Sequence, residues 1–373
     1  MNYWLKMYDE NLIKFSMQYA PKGYLDIEFL WEAVNKKVFP VGVVDEQDMV
    51  KWLYKRIIPK NREYVHQILT RLGLRYDDVI GIINTCKGLS LNDSYWVVPE
   101  DFEGNFAAYN LYENKFSEIL SLIALTGRAS SWNIEYTTSP ELTTNGMLPK
   151  TWRNVDGEIT LFKGGFDSKG LEPYNEFYAW QIAKAMGIDA IEYKIEEFKG
   201  VIGSSCKLFT DIDTAYVPMS YYLDEYNYDN VLKFFKEKKL SEDKFRSMLI
   251  FDCLIYNEDR HFNNFGMLRD NHCGDIWGMA PIFDNGISFF NHAKEADFEE
   301  LDEYRAKLKS SRHILFDNLA REFGTKLQRE QLKKLVGFKF EKHPLYNWDE
   351  ARLKIIEEFL QKRVGELLKI IKE

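Results

Sequence analysis

Between residues 129 and 218 the chain changes texture, and that change limits the fold more than any other feature. Short β-branched and aromatic segments (WNIEYTT, EITLFKGG, AIEYKIEEF, GVIGSSCKLF and TAYVPMS) are separated by Gly, Pro, Asn and Asp. This is the pattern of strands joined by turns, and it predicts a twisted antiparallel sheet. One segment breaks it. PYNEFYAWQIAKAMG begins at Pro173, places Phe177, Trp180, Ile182 and Ala183 at near-helical intervals and stops at Gly187, as a helix with a glycine C-terminus would.

The flanks read differently. DEQDMVKWLYKRI sets Met49, Trp52, Leu53 and Ile57 on one helical face, with Pro59 as its stop, and NREYVHQILTRLGL and YDDVIGIINTC continue the helical pattern. Residues 1–127 are therefore expected to form an α-rich module. After Asp229 the pattern is helical again, apart from a break between Asn257 and Asn291 that holds a glycine-rich hairpin. The last segment repeats Leu353, Ile356, Leu360, Leu367 and Ile371, the stripe of a terminal helix packed on a core rather than laid on a membrane or partner. The expected units are 1–127, 128–220 and 221–373.

A net charge of −9 gives no footprint for a nucleic-acid backbone, and no direct nucleic-acid binding is expected. Cys86, Cys206, Cys253 and Cys273 lack CxxC spacing, and no apolar run approaches the ~20 residues of a membrane span. The chain is expected to be cytoplasmic and reduced, with no membrane partner.

Within the break, IYNEDRHFNNFG crowds Asp259, His261, Asn263 and Asn264 into six residues where a helix opens into a loop. A carboxylate at 259 and an amide oxygen at 264 have the spacing to address an attacking hydroxyl and a magnesium ion. Twenty residues on, PIFDNG offers Asp284 before a tight turn, a second oxygen ligand for Mg²⁺. Together these are the parts of a phosphoryl-transfer site. Taken singly, an Asp or Asn in a loop is more often a turn former or helix cap than a ligand. Zinc at His261, with His272 and Cys273 as nearest donors, is the other metal option.

Upstream, TTNGMLPKTW sits between candidate strands, so Gly146 would let backbone N–H groups approach phosphate oxygens while Lys150 supplies charge. There is no GxxxxGKS and no GxGxxG, which argues against a P-loop or Rossmann site. Lys163 ends the strand ITLFKGG, where a lysine can also snorkel outward. Glu176 is placed to favour its helix N-terminus or to pair with Lys163, and the two uses are compatible.

In this order the segments resemble the HipA-like serine/threonine kinases, whose core is shared with phosphatidylinositol 3- and 4-kinases. NEDRHFNNFG followed by PIFDNG looks like their catalytic and metal-binding segments, NGMLPK like their nucleotide loop, and FKGG with EPYNE like their strand lysine and following helix, over about residues 130–330. The resemblance implies an α+β, two-lobed protein-kinase-like fold: a small antiparallel-sheet N-lobe with one helix and a mainly helical C-lobe, behind the α-rich region. It implies ATP and Mg²⁺ as cofactors. Asp259 would accept the hydroxyl proton, with His261 supporting the loop or touching the phosphates; Asn264 and Asp284 would bind the metal, and Lys163, paired with Glu176, the phosphates. Gly146, Met147, Leu148, Pro149 and Lys150 would cover the triphosphate, and CKLF, with Lys207 and Phe209, would receive adenine. Thr143, with Thr144 beside it, lies where relatives phosphorylate themselves.

Two departures stand out. Leu148 replaces the usual Gln, and Arg260 gives the loop a lipid-kinase-like spelling. SLNDSYW and NLYENKFS are similar to leaders on some HipA-like chains. The implied partners are a protein substrate and, by analogy with toxin–antitoxin members, a DNA-binding antitoxin. The alternatives are a small-molecule or phosphoinositide kinase and a nucleotide-binding pseudokinase.

Overall fold

The computed structural model describes residues 1–128, 138–166 and 170–372. The first structural unit corrects the expectation of an α-rich leader. Strands β1 (Asn2–Met7), β2 (Glu10–Tyr19) and β3 (Leu25–Glu32) precede helices α1 (Glu46–Tyr54), α2 (Val65–Arg71) and α3 (Val79–Cys86), and β4 (Tyr95–Pro99) returns beside β1 in a β3-β2-β1-β4 sheet. The cause is a period of two: Tyr3, Leu5 and Met7 are buried while Asn2, Trp4 and Lys6 are less so. The helical stripes after residue 45 do not extend back over that alternation. Helix α4 (Glu118–Thr126) closes the unit, capped by Ser117 and ended by Gly127 with φ of 67°.

The middle unit is a four-stranded antiparallel sheet, β5 (Lys150–Val155), β6 (Glu158–Gly164), β8 (Val201–Lys207) and β7 (Tyr193–Phe198) in spatial order, backed by α5 (Leu171–Met186). The strand expected in WNIEYTT lies outside the described residues apart from Thr138. TAYVPMS does form β9 (Thr214–Pro218), but in another sheet. It pairs with β10 (Gly266–Asp270), which also pairs with β11 (Ile276–Met279). Local strand pattern fixes that a segment is extended, not which partner takes its hydrogen bonds.

The third unit holds α6 (Tyr228–Glu237), α7 (Asp243–Ile255), the β10–β11 hairpin, α8 (Glu295–Glu299), α9 (Leu301–Ala306), α10 (Phe316–Phe323), α11 (Lys326–Lys333) and α12 (Glu350–Ile370). Ten of the thirteen residues of α7 are buried, so this helix runs through the core instead of along its surface. Helix α12 packs Leu353, Ile356, Leu360 and Leu367 inward, as its stripe predicts. No helix among the described residues is long and apolar enough to cross a membrane.

The connection from β8 to β9 is clasped by the N-terminal unit. The Thr210 hydroxyl donates to Leu91 O, the Ser94 and Tyr8 hydroxyls donate to Ile212 O (2.6 and 2.9 Å), and the Tyr216 amide donates to Asn92 O (2.7 Å). SLNDSYW supplies three of those partners. Phe245, fully buried between Tyr228, Phe235, Phe265 and Phe323, anchors the helical core. Phe245→Ala is expected to cost about 3–5 kcal/mol, read as an earlier urea transition of helical circular dichroism.

Candidate functional site

The site lies where the middle sheet faces the break after α7. In the sheet register Lys150 sits directly opposite Lys163, so two cations share one face. Only one is neutralised. Lys163 Nζ is 3.1 Å from Glu176 Oε1 and 2.8 Å from Asp284 Oδ1, so Glu176 does pair with the strand lysine. Glu176 also accepts the Asn285 amide at 2.8 Å, so one carboxylate on α5 fixes both the strand lysine and the loop after Asp284.

Lys150 is as buried as Lys163, yet its Nζ meets only the Asn145 carbonyl, at 2.8 Å, among the described residues. Burial, with Lys163 and Arg62 nearby, pushes its ammonium down to about 7. Gly146 permits this arrangement: its φ is 95°, and a Cβ there would lie 2.1 Å from Lys150 Nζ. The loop tip from Asn145 to Met147 is exposed, Leu148 is half-buried and Pro149 is buried. The Pro149 carbonyl accepts the Gly164 amide at 2.9 Å.

The break after α7 is built around Arg260. Its guanidinium pairs with Asp252 on α7 (Nε to Oδ2, 3.0 Å) and donates to Asn264 O (3.0 Å), Phe283 O and Asn285 Oδ1 (2.6 Å). One buried cation thus joins the 259–264 turn to the 283–285 turn. Within the first turn the Asp259 carbonyl accepts from the His261 amide (2.7 Å) and from Asn264 Nδ2 (3.0 Å). The Asn264 amide nitrogen is committed, and its oxygen is the atom left to meet a cation. The half-buried Asp259 carboxylate accepts no hydrogen bond among the described residues; burial raises its carboxyl, His261 lowers it and Asp284 raises it again. His261 is exposed, its Nδ1 accepting the Asn263 amide at 3.2 Å.

Asp284 has a φ of 60°, a left-handed backbone uncommon for a non-glycine. Burial works against its charge, but Lys163 outweighs it, aided by Lys150 and Arg260, and holds the carboxyl well below the usual range. It is ionised at neutral pH. Asp284 and Asn264 give two oxygens, a set that suits Mg²⁺, which keeps water and phosphate for its other positions. No cluster of three or more His, Cys, Asp or Glu fit for a metal occurs among the described residues, and His272 instead stacks on Tyr8 and pairs with Asp213 at 2.8 Å. That leaves zinc without a site there.

Phe209 packs on Phe283 and Tyr216 with ring centroids 5.5 Å from each, tilted on the first and edge-on to the second, an aromatic cluster that includes the residue before Asp284. Lys207 is not brought in: its side chain is exposed and pairs with Glu158. Thr143 is buried with its hydroxyl directed at Pro140 O (3.4 Å), and Thr144 donates to the same carbonyl (2.6 Å) while accepting the Trp152 indole N–H (3.0 Å). Sequence reasoning missed Asp252, Asn175 and the structural weight of Arg260. Asn175 donates to Gly286 O at 2.7 Å and to Ser288 O at 3.1 Å, tying α5 to the turn after Asp284; its place one residue before Glu176 is the only local signal.

Comparison with known proteins gives the family and the fold. The family model of the HipA-like C-terminal domain matches residues 142–339. The chain belongs to that family. A serine/threonine-protein kinase, CtkA of Helicobacter pylori (strain J99 / ATCC 700824), is 25% identical over 154 residues, which cover 36% of this chain and 47% of CtkA, so the match spans about half of that relative. A chain of the Shewanella oneidensis MR-1 toxin–antitoxin complex of HipA, HipB and operator DNA superposes with a TM-score of 0.55 at 12% identity, over 98% of this chain and 99% of that one. The crystal structure of CtkA gives a TM-score of 0.45 at 20% identity, over 60% of this chain and 90% of that one. The fold is α+β and two-lobed, of the protein-kinase-like type.

Arg260→Lys keeps the charge but loses the fork, and is expected to cost about 3 kcal/mol in chemical unfolding, because Asp252 and two loop carbonyls lose planar donors. Lys150 gives a prediction of opposite sign. Its folded-state value lies below that of an ordinary lysine, so its penalty is full below about pH 7 and fades as pH rises toward about 10.4. Lys150→Met should therefore raise the melting temperature by about 2–4 °C near pH 6. In the wild type an anion bound at Lys150 would restore the proton, so calorimetry with inorganic triphosphate in buffers of different ionisation enthalpy should show proton uptake above pH 7.

Proposed function

We propose that the chain is an ATP- and Mg²⁺-dependent serine/threonine kinase of HipA type, moving the γ-phosphoryl group of ATP to a protein hydroxyl. The observation that carries this reading is the cross-strand pair of Lys150 and Lys163, of which Lys163 is neutralised by Glu176 and Asp284 and Lys150 is left in want of an anion. Like charges held opposite each other destabilise a sheet. A polyanion beside them removes the cost, and a triphosphate is long enough to meet both lysines.

Asp284 and Asn264 would hold Mg²⁺, which would draw charge from the phosphates of an ATP donor. The remaining work falls to the chain. Lys163 is positioned by two carboxylates before any ligand arrives, so little reorganisation is required when charge develops. Asp259 faces the acceptor with an unengaged carboxylate, takes the hydroxyl proton and orients the oxygen. His261 flanks it at the open side, and Phe209 with Phe283 supports the base. Gly146 to Lys150 close over the phosphates, with Met147 and Leu148 at the rim.

The chain's kinship with CtkA, a serine/threonine-protein kinase, supports a protein acceptor. The fold shared with HipA in a complex with HipB and DNA supports an antitoxin-like, DNA-binding protein as a partner. Self-phosphorylation at Thr143 or Thr144 belongs to the same reading, but both hydroxyls face inward, so transfer to either requires residues 143–145 to leave their bed.

Asp259→Asn and Asp284→Asn should each lower transfer from labelled ATP by at least about a hundredfold while melting within a few degrees of wild type. Undiminished transfer in both variants would overturn the kinase reading. Label recovered only in lipid or a small metabolite would replace the protein acceptor.

A further inference from the structure

The nucleotide loop is not held by the kinase lobes alone. At its base the Arg62 guanidinium, from the turn before α2, is fully buried and forms four contacts with the loop: Glu141 Oε2 (2.8 Å), Glu141 O (2.7 Å), Thr144 O (3.2 Å) and Lys150 O (2.8 Å). At the tip the neighbouring Glu63 amide donates to Met147 O at 2.9 Å. Both ends and the apex of residues 141–150 are thereby tied to two consecutive residues of the N-terminal unit.

The surroundings show that this turn is built to reach. Tyr64 takes a left-handed backbone, φ 59°, and its ring lies so close to Gly127 that a Cβ there would come within 2.6 Å. The other Glu141 oxygen accepts the Thr151 hydroxyl (2.8 Å) and the Trp152 amide (3.0 Å), so the carboxylate that Arg62 neutralises also sets the start of β5, where Lys150 stands. A buried guanidinium that binds three carbonyls of one loop fixes the direction of those peptides, and so the direction of the N–H groups on their far side.

We propose that Arg62 is a positioning residue through which the N-terminal unit sets nucleotide affinity, holding the 141–150 loop in the shape that meets the phosphates. This rests on the nucleotide-binding reading above. Displacing the N-terminal unit, by a partner or a mutation, then releases the loop, and nucleotide and N-terminal docking favour each other reciprocally.

The test compares Arg62→Lys, which keeps the charge but not the fork, with Arg56→Met, which breaks another buried ion pair of the same unit, that with Asp93, away from the loop. For each, the affinity for Mg²⁺–AMP-PNP is measured by calorimetry and amide hydrogen exchange is followed over residues 141–150. Arg62→Lys should weaken the analogue about tenfold or more and speed loop exchange by a similar factor, while Arg56→Met lowers the melting temperature but leaves affinity within about twofold. Glu141→Gln, which keeps the shape and removes only the charge, should fall between them, and it carries the test if Arg62→Lys does not fold. Unchanged loop exchange in Arg62→Lys, or an equal loss of affinity in Arg56→Met, overturns the proposal. If wild type fails to bind the analogue, the kinase reading falls, and with it the proposed effect on affinity; the exchange data then still decide whether Arg62 holds the loop.

Discussion

The pairing of Arg260 with Asp252 is the interaction on which the site depends. Asp252 lies in the core helix α7, where an uncompensated carboxylate would be costly, and Arg260 is the cation that makes its burial tolerable. Having satisfied Asp252, the guanidinium still has donors to spend, and they go to the carbonyls and amide of two separate turns. The geometry of Asp259, Asn264 and Asp284 therefore follows from a single planar group seated on the most buried helix of the chain. Planarity matters here because five donors in a fixed fork transmit orientation as well as charge.

A second theme is stability surrendered at the place where a ligand is expected. Two lysines lie opposite each other across a strand pair, one of them with its ammonium pushed toward neutrality. Asp284 holds a left-handed backbone, and its charge is maintained against burial by Lys163. Left-handed residues occur elsewhere in the chain too, but at Asp284 the backbone strain coincides with a half-buried, ion-paired carboxylate near a second buried lysine.

Much of this was legible in the sequence, for local reasons. DRHFNN and DNG are short segments, each compact within its own turn, so order and spacing were enough to single them out. The contact of Glu176 with Lys163 was among the two compatible uses the sequence offered, and one distance shows it. What was not legible depends on partners far apart in the chain: Arg62 meets Glu141 across 79 positions, and nothing near either residue announces the other. The N-terminal sheet was hidden for a different reason. Tyr3, Leu5 and Met7 alternate properly, but the strong helical stripes that follow drew the whole region into one class. The side chain of Lys207 turns to Glu158, so any part that residue has in receiving a base falls to its backbone.

The clasp around residues 208–216 bears on how a nucleotide enters. In a two-lobed architecture the usual doorway opens by rocking one lobe against the other about the connecting segment. Here that segment is laced to Leu91, Asn92, Ser94 and Tyr8, and its far end, β9, is already woven into the sheet of the helical lobe. Rocking would tear several of those bonds at once. On the nucleotide reading proposed above, the remaining gate is the exposed lip from Asn145 to Met147, which would lift by a few peptides once the Glu63 amide at its apex lets go of Met147 O.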